Sequence, residues 1–370
     1  MNIKKLYQSV LRCQWVGMGL LLALPLSPLK AETITIGKGS GVVWEGLPFS
    51  GTLSGSFLYS ALYPISFMSL AAITVDPLRC RNRLTEVNGT SAIKLTEGVW
   101  LVPRLNITGD FVRYNGKRET FSGSIGLPTT DLRIGSTGNQ MGRDGWCFSP
   151  EGIETNIEKY YSPSEPRTMN YNGSWVLITD GTQKRADNIK LPPYYIASLS
   201  VYHAGSLSER ILPTAITLRV STLECSVNTP VDINFGPVTH NPQKGAEMGQ
   251  ISSPVTVLCI QDTDLIDANI NLQFRAISGL YENSPQRLAL QEKADGGYIT
   301  GEIAGVTGSG SCTGNSGIAF NSTPYKIGAI TSAQKSSAMA NYLIWRLCSG
   351  GSSLPMGDVH AAAEMLVTFN

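Results

Sequence analysis

Apolar and polar residues alternate along this chain in short runs of period two, and the cleanest run is the last fourteen residues, Gly357 to Asn370. Val359, Ala361, Ala363, Met365, Val367 and Phe369 share one parity, against His360, Glu364 and Thr368 on the other, with Ala362 and Leu366 as exceptions. This period predicts a strand with one buried face. Because the sequence stops one residue after Phe369, no partner for the strand's free edge is expected from further along. A strand this apolar is an aggregation hazard until something covers that edge. From about Val220 onward the alternation predicts further strands at Cys225 to Val238, Pro254 to Cys259, Asn269 to Ala276, Tyr298 to Ile303, Gly317 to Phe320 and Tyr342 to Cys348. In the first of these Val231, Ile233 and Phe235 share a face before Gly236 and Pro237 break the run. The earlier part holds shorter runs at Trp100 to Val102, Ser122 to Ile125, Ser174 to Thr179 and Ile196 to Tyr202. Helical periodicity is scarce, and Ser332 to Met339 is the best candidate for a helical turn.

Thirty-eight glycines and twenty prolines, with many Ser, Thr and Asn, punctuate these runs. This is the texture of an all-β chain. At the start, Lys4, Lys5 and Arg12 precede an apolar run from Trp15 to Leu26, and small residues follow up to Ala31. Residues 1–31 read as a secretory signal peptide cut after Ala31. That run is too short to span a bilayer, and nothing else offers the roughly 20 apolar residues a spanning helix needs. The expected mature chain is exported, its punctuation fits an all-β sandwich or barrel, and its length suits two domains, with the change of texture near Val220 dividing residues 32–219 from 220–370.

Cys13 leaves with the signal, and Cys80, Cys147, Cys225, Cys259, Cys312 and Cys348 remain. An even count in an exported chain argues for disulfides. Of the roughly fifteen possible pairings, chain order makes 80 with 147, 225 with 259 and 312 with 348 the simplest. A metal site is the weaker reading, since there is no Cys-x-x-Cys and only His203, His240 and His360 are available. A net charge of +1 with 15% charged residues carries no signature of nucleic-acid or anionic-membrane binding. Neither Gly-x-Ser-x-Gly nor His-Glu-x-x-His occurs, and the carboxylates that lie within one region, Asp131, Asp144, Glu151 and Glu154, read as solvated or capping groups of turns, so no enzyme activity and no cofactor is expected.

One stretch of the first half differs in kind. Gly135 to Gly152 is dense in glycine and carries Asn139, Gln140, Arg143, Asp144 and Trp146 beside Cys147. A flat aromatic face suits the apolar side of a sugar, and planar amide or carboxylate groups suit its hydroxyls. Tethering by a disulfide would lower the ordering cost of binding. A surface loop that is merely stapled is the other reading, and both stand at this level. Tyr160 with Tyr161 and Tyr194 with Tyr195 rank no higher as binding candidates, because aromatics in a sandwich are mostly core or corner residues.

The terminal strand, with Gly357 fourteenth from the end and a penultimate aromatic, resembles the chaperone-recognition strand of subunits of bacterial chaperone–usher pili. The spacing from Cys225 to Cys259, with a Val-Asp-Ile-Asn-Phe-Gly strand between, is similar to the first disulfide of pilin domains. The resemblance implies an immunoglobulin-like sandwich over 220–370 that lacks its seventh strand. A periplasmic chaperone lends that strand, and after assembly at the outer-membrane usher the next pilus subunit supplies its own, by strand addition. Gly357, Val359, Ala361, Ala363, Met365, Val367 and Phe369 would then form the contact strand, with the Asn370 carboxylate anchored by basic chaperone residues. The pair Cys312 and Cys348 departs from the minimal pilin pattern, which has one disulfide. In pilins that sit within a fibre a donor strand stands just before the first cysteine, where this chain has residues 32–219, and Ile211 to Leu223 reads as a closing strand plus linker. That arrangement resembles two-domain tip adhesins, whose N-terminal lectin-like domain binds a host glycan or glycoprotein at the fimbrium tip on the cell surface. A minor pilin or adaptor subunit without a receptor is the alternative. The sequons at Asn88, Asn106, Asn172 and Asn321 suggest a eukaryotic cell-surface glycoprotein, but no membrane anchor follows them.

Overall fold

The structure, a computed structural model, describes residues 32–135, 138–150, 159–213 and 216–370. The expected signal peptide, and Ser136, Thr137, Glu151 and Gly152 of the glycine-dense stretch, lie outside the described residues. The first strands are β1 (Glu32–Ile36), β2 (Ser40–Ser56), β3 (Ala71–Thr74), β4 (Leu84–Val87), β5 (Thr90–Thr96), β6 (Val99–Val112), β7 (Arg118–Gly126) and β8 (Asp131–Ile134). Next come β9 (Asn139–Gln140), β10 (Gly142–Asp144), β11 (Cys147–Ser149), β12 (Pro166–Asp180), β13 (Ala186–Lys190), β14 (Tyr194–Ser198), β15 (Leu207–Leu212) and β16 (Ile216–Val220). The remainder are β17 (Glu224–Asn228), β18 (Glu247–Ile260), β19 (Ala268–Ala276), β20 (Leu288–Ala289), β21 (Gly297–Ile303), β22 (Tyr325–Ile330), β23 (Ser336–Ser349) and β24 (Ala363–Phe369). Among the described residues there is no α-helix, so the chain is all-β as its alternation predicts.

The strands form four sheets. The largest runs β2-β12-β6-β7-β8-β9, with the β4–β5 hairpin attached to β6. A second runs β10-β11-β3-β14-β15, a third β13-β16-β1-β24-β19-β22 and a fourth β17-β18-β23-β21-β20. The pairings are antiparallel except that of β1 with β16. Burial along β12 shows how sequence sets these layers. Arg167, Met169 and Tyr171 are buried while Thr168, Asn170 and Asn172 point outward; from Trp175 to Thr179 every residue is buried. There the sheet is covered on both faces: Trp175 and Leu177 enter the main core, while Val176 and Ile178 pack with Ala92, Trp100 and Val102. A strand covered on one side alternates, and one covered on both reads as a continuous apolar run.

The buried apolar side chains gather mainly into two clusters. One draws on residues from Ile34 to Val220, around Trp175, Trp146, Phe121 and Tyr161. The other draws on Leu223 to Phe369, around Val257, Ile270, Leu272, Phe274 and Leu343. Disulfides join Cys80 to Cys147, Cys225 to Cys259 and Cys312 to Cys348, with Cα separations of 6.2, 4.0 and 5.6 Å. Cys225 and Cys259 face each other directly across the β17–β18 ladder.

Several expected elements are corrected. Ser332 to Met339 is no helical turn: a tight turn at Ser332 and Ala333 leads into β23, where Ser336 to Met339 alternate in burial. Gly317 to Phe320 is not a strand, although Ile318 and Phe320 are buried; Ile318 N–H donates to the Gly301 carbonyl and Phe320 N–H to that of Pro285. The run from Cys225 stops at Asn228, before Pro230, and Val231 stands 93% exposed. The predicted terminal strand from Val359 begins only at Ala363.

One buried cation ties the end of the first core together. Arg167 is 1% exposed. Its Nε donates to Ser198 Oγ, and its Nη atoms donate to the carbonyls of Gly55 (3.0 Å), Ser198 (2.8 Å) and Gly205 (2.6 Å). The guanidinium lies 4.0 Å from the Phe57 ring centroid. Burial lowers its pKa to about 10, so it stays charged at neutral pH, held by oxygens and a ring rather than by a carboxylate. Arg167→Ala leaves buried carbonyls without donors, and a loss of about 3 kcal/mol is expected. That is roughly 6–12 °C in Tm, measured by thermal denaturation; an unchanged Tm would show that water replaces the guanidinium.

Candidate functional site

The strand β24 pairs with β19 along its whole length, from Ala363 opposite Ala276 to Phe369 opposite Ile270. Asn370 and Asn269 exchange N–H to C=O bonds of 2.8 and 3.3 Å, and Ala362 accepts from Ile277 and Ser278. In an antiparallel ladder the main-chain groups of alternate residues point to opposite sides. Even-numbered residues therefore bond toward β19, and the N–H and C=O of Ala363, Met365 and Val367 point the other way. On that side only Phe369 finds a partner strand, opposite Thr35 of β1. No other described strand runs along it.

Side chains show the same gap. Met365 and Val367 lean on the second core yet are only half-buried, whereas Phe369, beside β1, is buried. The core is open where the edge is open. Its closed end is tightly built: Lys38 N–H donates to the Leu223 carbonyl at 2.9 Å, and a Cβ on Gly37 would meet that carbonyl oxygen and approach the Phe369 ring. Below the opening, Gln291 N–H donates to the His360 carbonyl, and Glu292 accepts from His360 N–H at 2.8 Å. Gly357 has φ of +95°, which favours glycine, so the chain turns there before reaching the strand. Val359 and Ala361 are half-buried and Ala363 is exposed.

A four-membered charge cluster crosses the outer face of β24. Glu364 Oε2 lies 2.8 Å from Arg275 Nη2 and 3.9 Å from Arg104 Nη2. Glu45 Oε2 lies 3.3 Å from Arg104 Nε and 3.7 Å from Arg275 Nε, and Ser174 Oγ donates to Glu45 Oε1 at 2.6 Å. Burial lowers the pKa of Arg104, against the pull of Glu45. Two cations and two anions thus link β2 and β6 to β19 and β24.

The residues expected to bind a receptor separate. Asn139 and Gln140 form β9, exposed at the margin of the large sheet; Arg143 and Asp144 are exposed on β10, with Arg143 Nη1 donating to the Thr130 carbonyl. Trp146 is a correction. It is wholly buried, edge-on to Tyr194 at 6.4 Å, and offers no face to a ligand. The reason is the two-residue connection Gly145-Trp146 between β10 and β11, which turns Trp146 into the core beside β3. Tyr160, Tyr161 and Tyr194 are buried too.

Gln140 leads instead to a feature the sequence reading passed over. Through cross-strand pairing it begins a row of exposed polar residues: Gln140, Arg133, Ser122, Thr108, Asn170 and Thr52. A shallow, open depression of about 610 Å3 lies along this face, lined by Thr108, Gly109, Asp110, Arg118, Thr120, Phe121, Ser122 and Asn170. Its charges are closed on themselves, Arg118 on Asp110 and Arg133 on Asp131. Alternating Ser, Thr and Asn in β2, β6, β7 and β12 signalled this face, but an outward polar face is also what any half-buried antiparallel sheet shows. Among the described residues no cluster of His, Cys, Asp and Glu could hold a metal ion, and no helix is long and apolar enough to cross a membrane.

No family model matches the chain, and no curated protein matches it. Among solved structures it is similar to the CupB6 tip adhesin from Pseudomonas aeruginosa, at 13% identity over 90% of this chain and 87% of that one, with a TM-score of 0.29. It is also similar to a structure of a chaperone–tip adhesin complex of CFA/I fimbriae, at 10% identity over 91% of this chain and 94% of that one, with a TM-score of 0.25.

The geometry of β24 makes a prediction at single-residue scale. In hydrogen exchange, the amides of Met365 and Val367 are expected to exchange far faster than those of Glu364, Leu366 and Thr368, which bond to β19. Uniform protection along β24 would reveal a partner on the open edge.

Proposed function

We propose that the chain is a subunit that accepts a strand from another polypeptide at the open edge of β24, and that it stands at the tip of a chaperone–usher pilus as an adhesin. One observation carries the reading: a fully formed strand whose core-facing side chains stay half-exposed because its second edge is bare. Strand addition satisfies that edge, with main-chain bonds giving affinity and alternate apolar side chains filling the opening. In the periplasm a chaperone would supply the strand, and in the fibre the neighbouring subunit would. Gly357, Val359, Ala361, Ala363, Met365, Val367 and Phe369 line the path of that contact.

The tip position is supported by what the strands before Cys225 are doing. A subunit within a fibre needs a free donor segment there. Here β16 is held between β13 and β1, and β1 lies between β16 and the end of β24, so neither is free to leave. The separate cores of residues 34–220 and 223–369 support two bodies, divided close to residue 220. The first would carry the receptor contact, with the exposed Asn139, Gln140, Arg143 and Asp144 and the adjoining row of polar residues as its glycan-facing surface. The role is one of binding rather than catalysis.

The test adds to the full chain a synthetic peptide of about fifteen residues with alternating apolar positions, against one with charges at those positions. At a hundredfold excess over Kd the alternating peptide is expected to stabilise by about 2.7 kcal/mol, a rise of roughly 5–10 °C in Tm. The amides of Met365 and Val367 should become protected at the same time. No change with either peptide would remove the acceptor role.

A further inference from the structure

The end of the first core opposite β24 carries large side chains that burial has not claimed. The strand β2 runs 17 residues from Ser40, near β1, to Ser56, roughly 55 Å at about 3.3 Å per residue. Beyond its far end three loops converge. Cys80 N–H donates to the Ser66 carbonyl, Leu199 N–H to that of Ser69, and His203 Nδ1 bonds the Leu78 carbonyl at 3.0 Å. Leu58 (58% exposed), Tyr59 (39%), Phe67 (46%), Leu78 (44%) and Tyr202 (68%) stand out from these loops, with Tyr63 beside them. Tyr202 meets the rings of Tyr59 and Tyr63 edge-on at 5.8 and 6.0 Å.

The backbone is bent to present them. Leu58, Tyr202 and His203 have φ of +62°, +53° and +67°. A bulky residue in this region costs roughly 1–2 kcal/mol and persists only where its surroundings hold it. They do: Arg167 bonds the carbonyls of Gly55, Ser198 and Gly205, Ser200 Oγ donates to the Phe57 carbonyl, and the Cys80–Cys147 disulfide pins the third loop. The result is a rigid patch that gives up little freedom on binding.

Its chemistry favours a polypeptide over a sugar. Among the described residues, Asp76 is engaged by Leu78 N–H and Arg81, and Asn82 Nδ2 donates to the Ile73 carbonyl while its Oδ1 is buried, so neither of these two offers its polar group to vicinal hydroxyls. The cations here lie on rings, Arg79 over Phe67 at 5.7 Å and Lys159 over Tyr114 at 4.9 Å. What remains is Tyr, Leu and Phe surface beside Arg, the composition of protein-binding hot spots. Exposed apolar area of this kind marks an interaction site.

We propose that this pole, built on Leu58, Tyr59, Tyr63, Phe67, Leu78 and Tyr202, binds a neutral, apolar patch on the polypeptide of a receptor protein. The proposal rests on the adhesive role given above. The full chain is tested on a glycan array and on an array of purified extracellular-matrix proteins, each spotted before and after enzymatic deglycosylation. Binding to at least one deglycosylated protein is expected, weakened about tenfold or more by Tyr202→Gly and by Tyr59→Ala. Tyr202→Gly relieves the left-handed strain, so its Tm should hold or rise while binding falls, which a merely structural role would not produce. Tyr342→Ala, at a tyrosine on β23 whose 59% exposure lies between those of Tyr59 and Tyr202, should bind as wild type. Binding to glycans alone, binding lost on deglycosylation, self-association through this pole, or protein binding insensitive to Tyr202 would overturn the proposal and leave the adhesive role standing. A wild type that binds nothing on either array would remove that role as well.

Discussion

The structure depends on one obligation of the backbone: every main-chain N–H and C=O withdrawn from water needs a partner. β24 meets it on the side of β19 and fails to meet it on the other, except where Thr35 faces Phe369. A lone bare edge on a surface strand is common and is usually blunted by charge or proline. This one is not blunted, since its outward main-chain groups belong to Ala363, Met365 and Val367, and the side chains of the last two lean into the core. The bare edge and the incomplete core are therefore the same defect, and one added strand would mend both.

The rest of the second core looks built to tolerate that defect. Cys225 and Cys259 fasten β17 to β18, and Cys312 and Cys348 fasten the loop after β21 to β23. Both cross-links involve the β17-β18-β23-β21-β20 sheet rather than β24, and on the loop-closure view they stabilise by restricting the unfolded chain. The Glu45, Arg104, Arg275 and Glu364 cluster adds a further restraint on the outer face of β24. It engages the face and not the edge, because Glu364 has the parity that points away from the core. An incoming strand can therefore approach in the plane of the sheet without breaking it.

Much of the fold was legible because strand burial has a period of two. The alternation at Pro254 to Cys259 and Asn269 to Ala276 located β18 and β19, and the apolar parity of the last residues located β24. Alternation failed where the backbone had nothing to pair with: Val231, Ile233 and Phe235 alternate but have no strand beside them, and Ile318 and Phe320 are buried without one. Trp146 failed for another reason. Whether an aromatic in a glycine-dense stretch faces water or the core depends on a two-residue turn, and local composition does not encode that direction. The exposed aromatic pole was the least legible part, because Tyr59, Phe67, Leu78 and Tyr202 are far apart in sequence and meet only through tertiary hydrogen bonds.

The two ends of the molecule differ in how they leave apolar surface exposed, and that difference separates their roles. At β24 the exposed surface comes with unpaired main-chain groups, so a strand added there would satisfy both, main-chain bonds giving affinity and alternate side chains giving specificity. At the pole no described strand edge lies open, the carbonyls of Gly55, Ser198 and Gly205 are taken by Arg167, and the exposed apolar surface is that of side chains. Recognition there must be specific to shape and chemistry, because no ladder of backbone bonds contributes. The two regions thus call for different chemistry, main-chain bonds along the bare edge of β24 and side-chain contacts alone at the loops beyond the far end of β2.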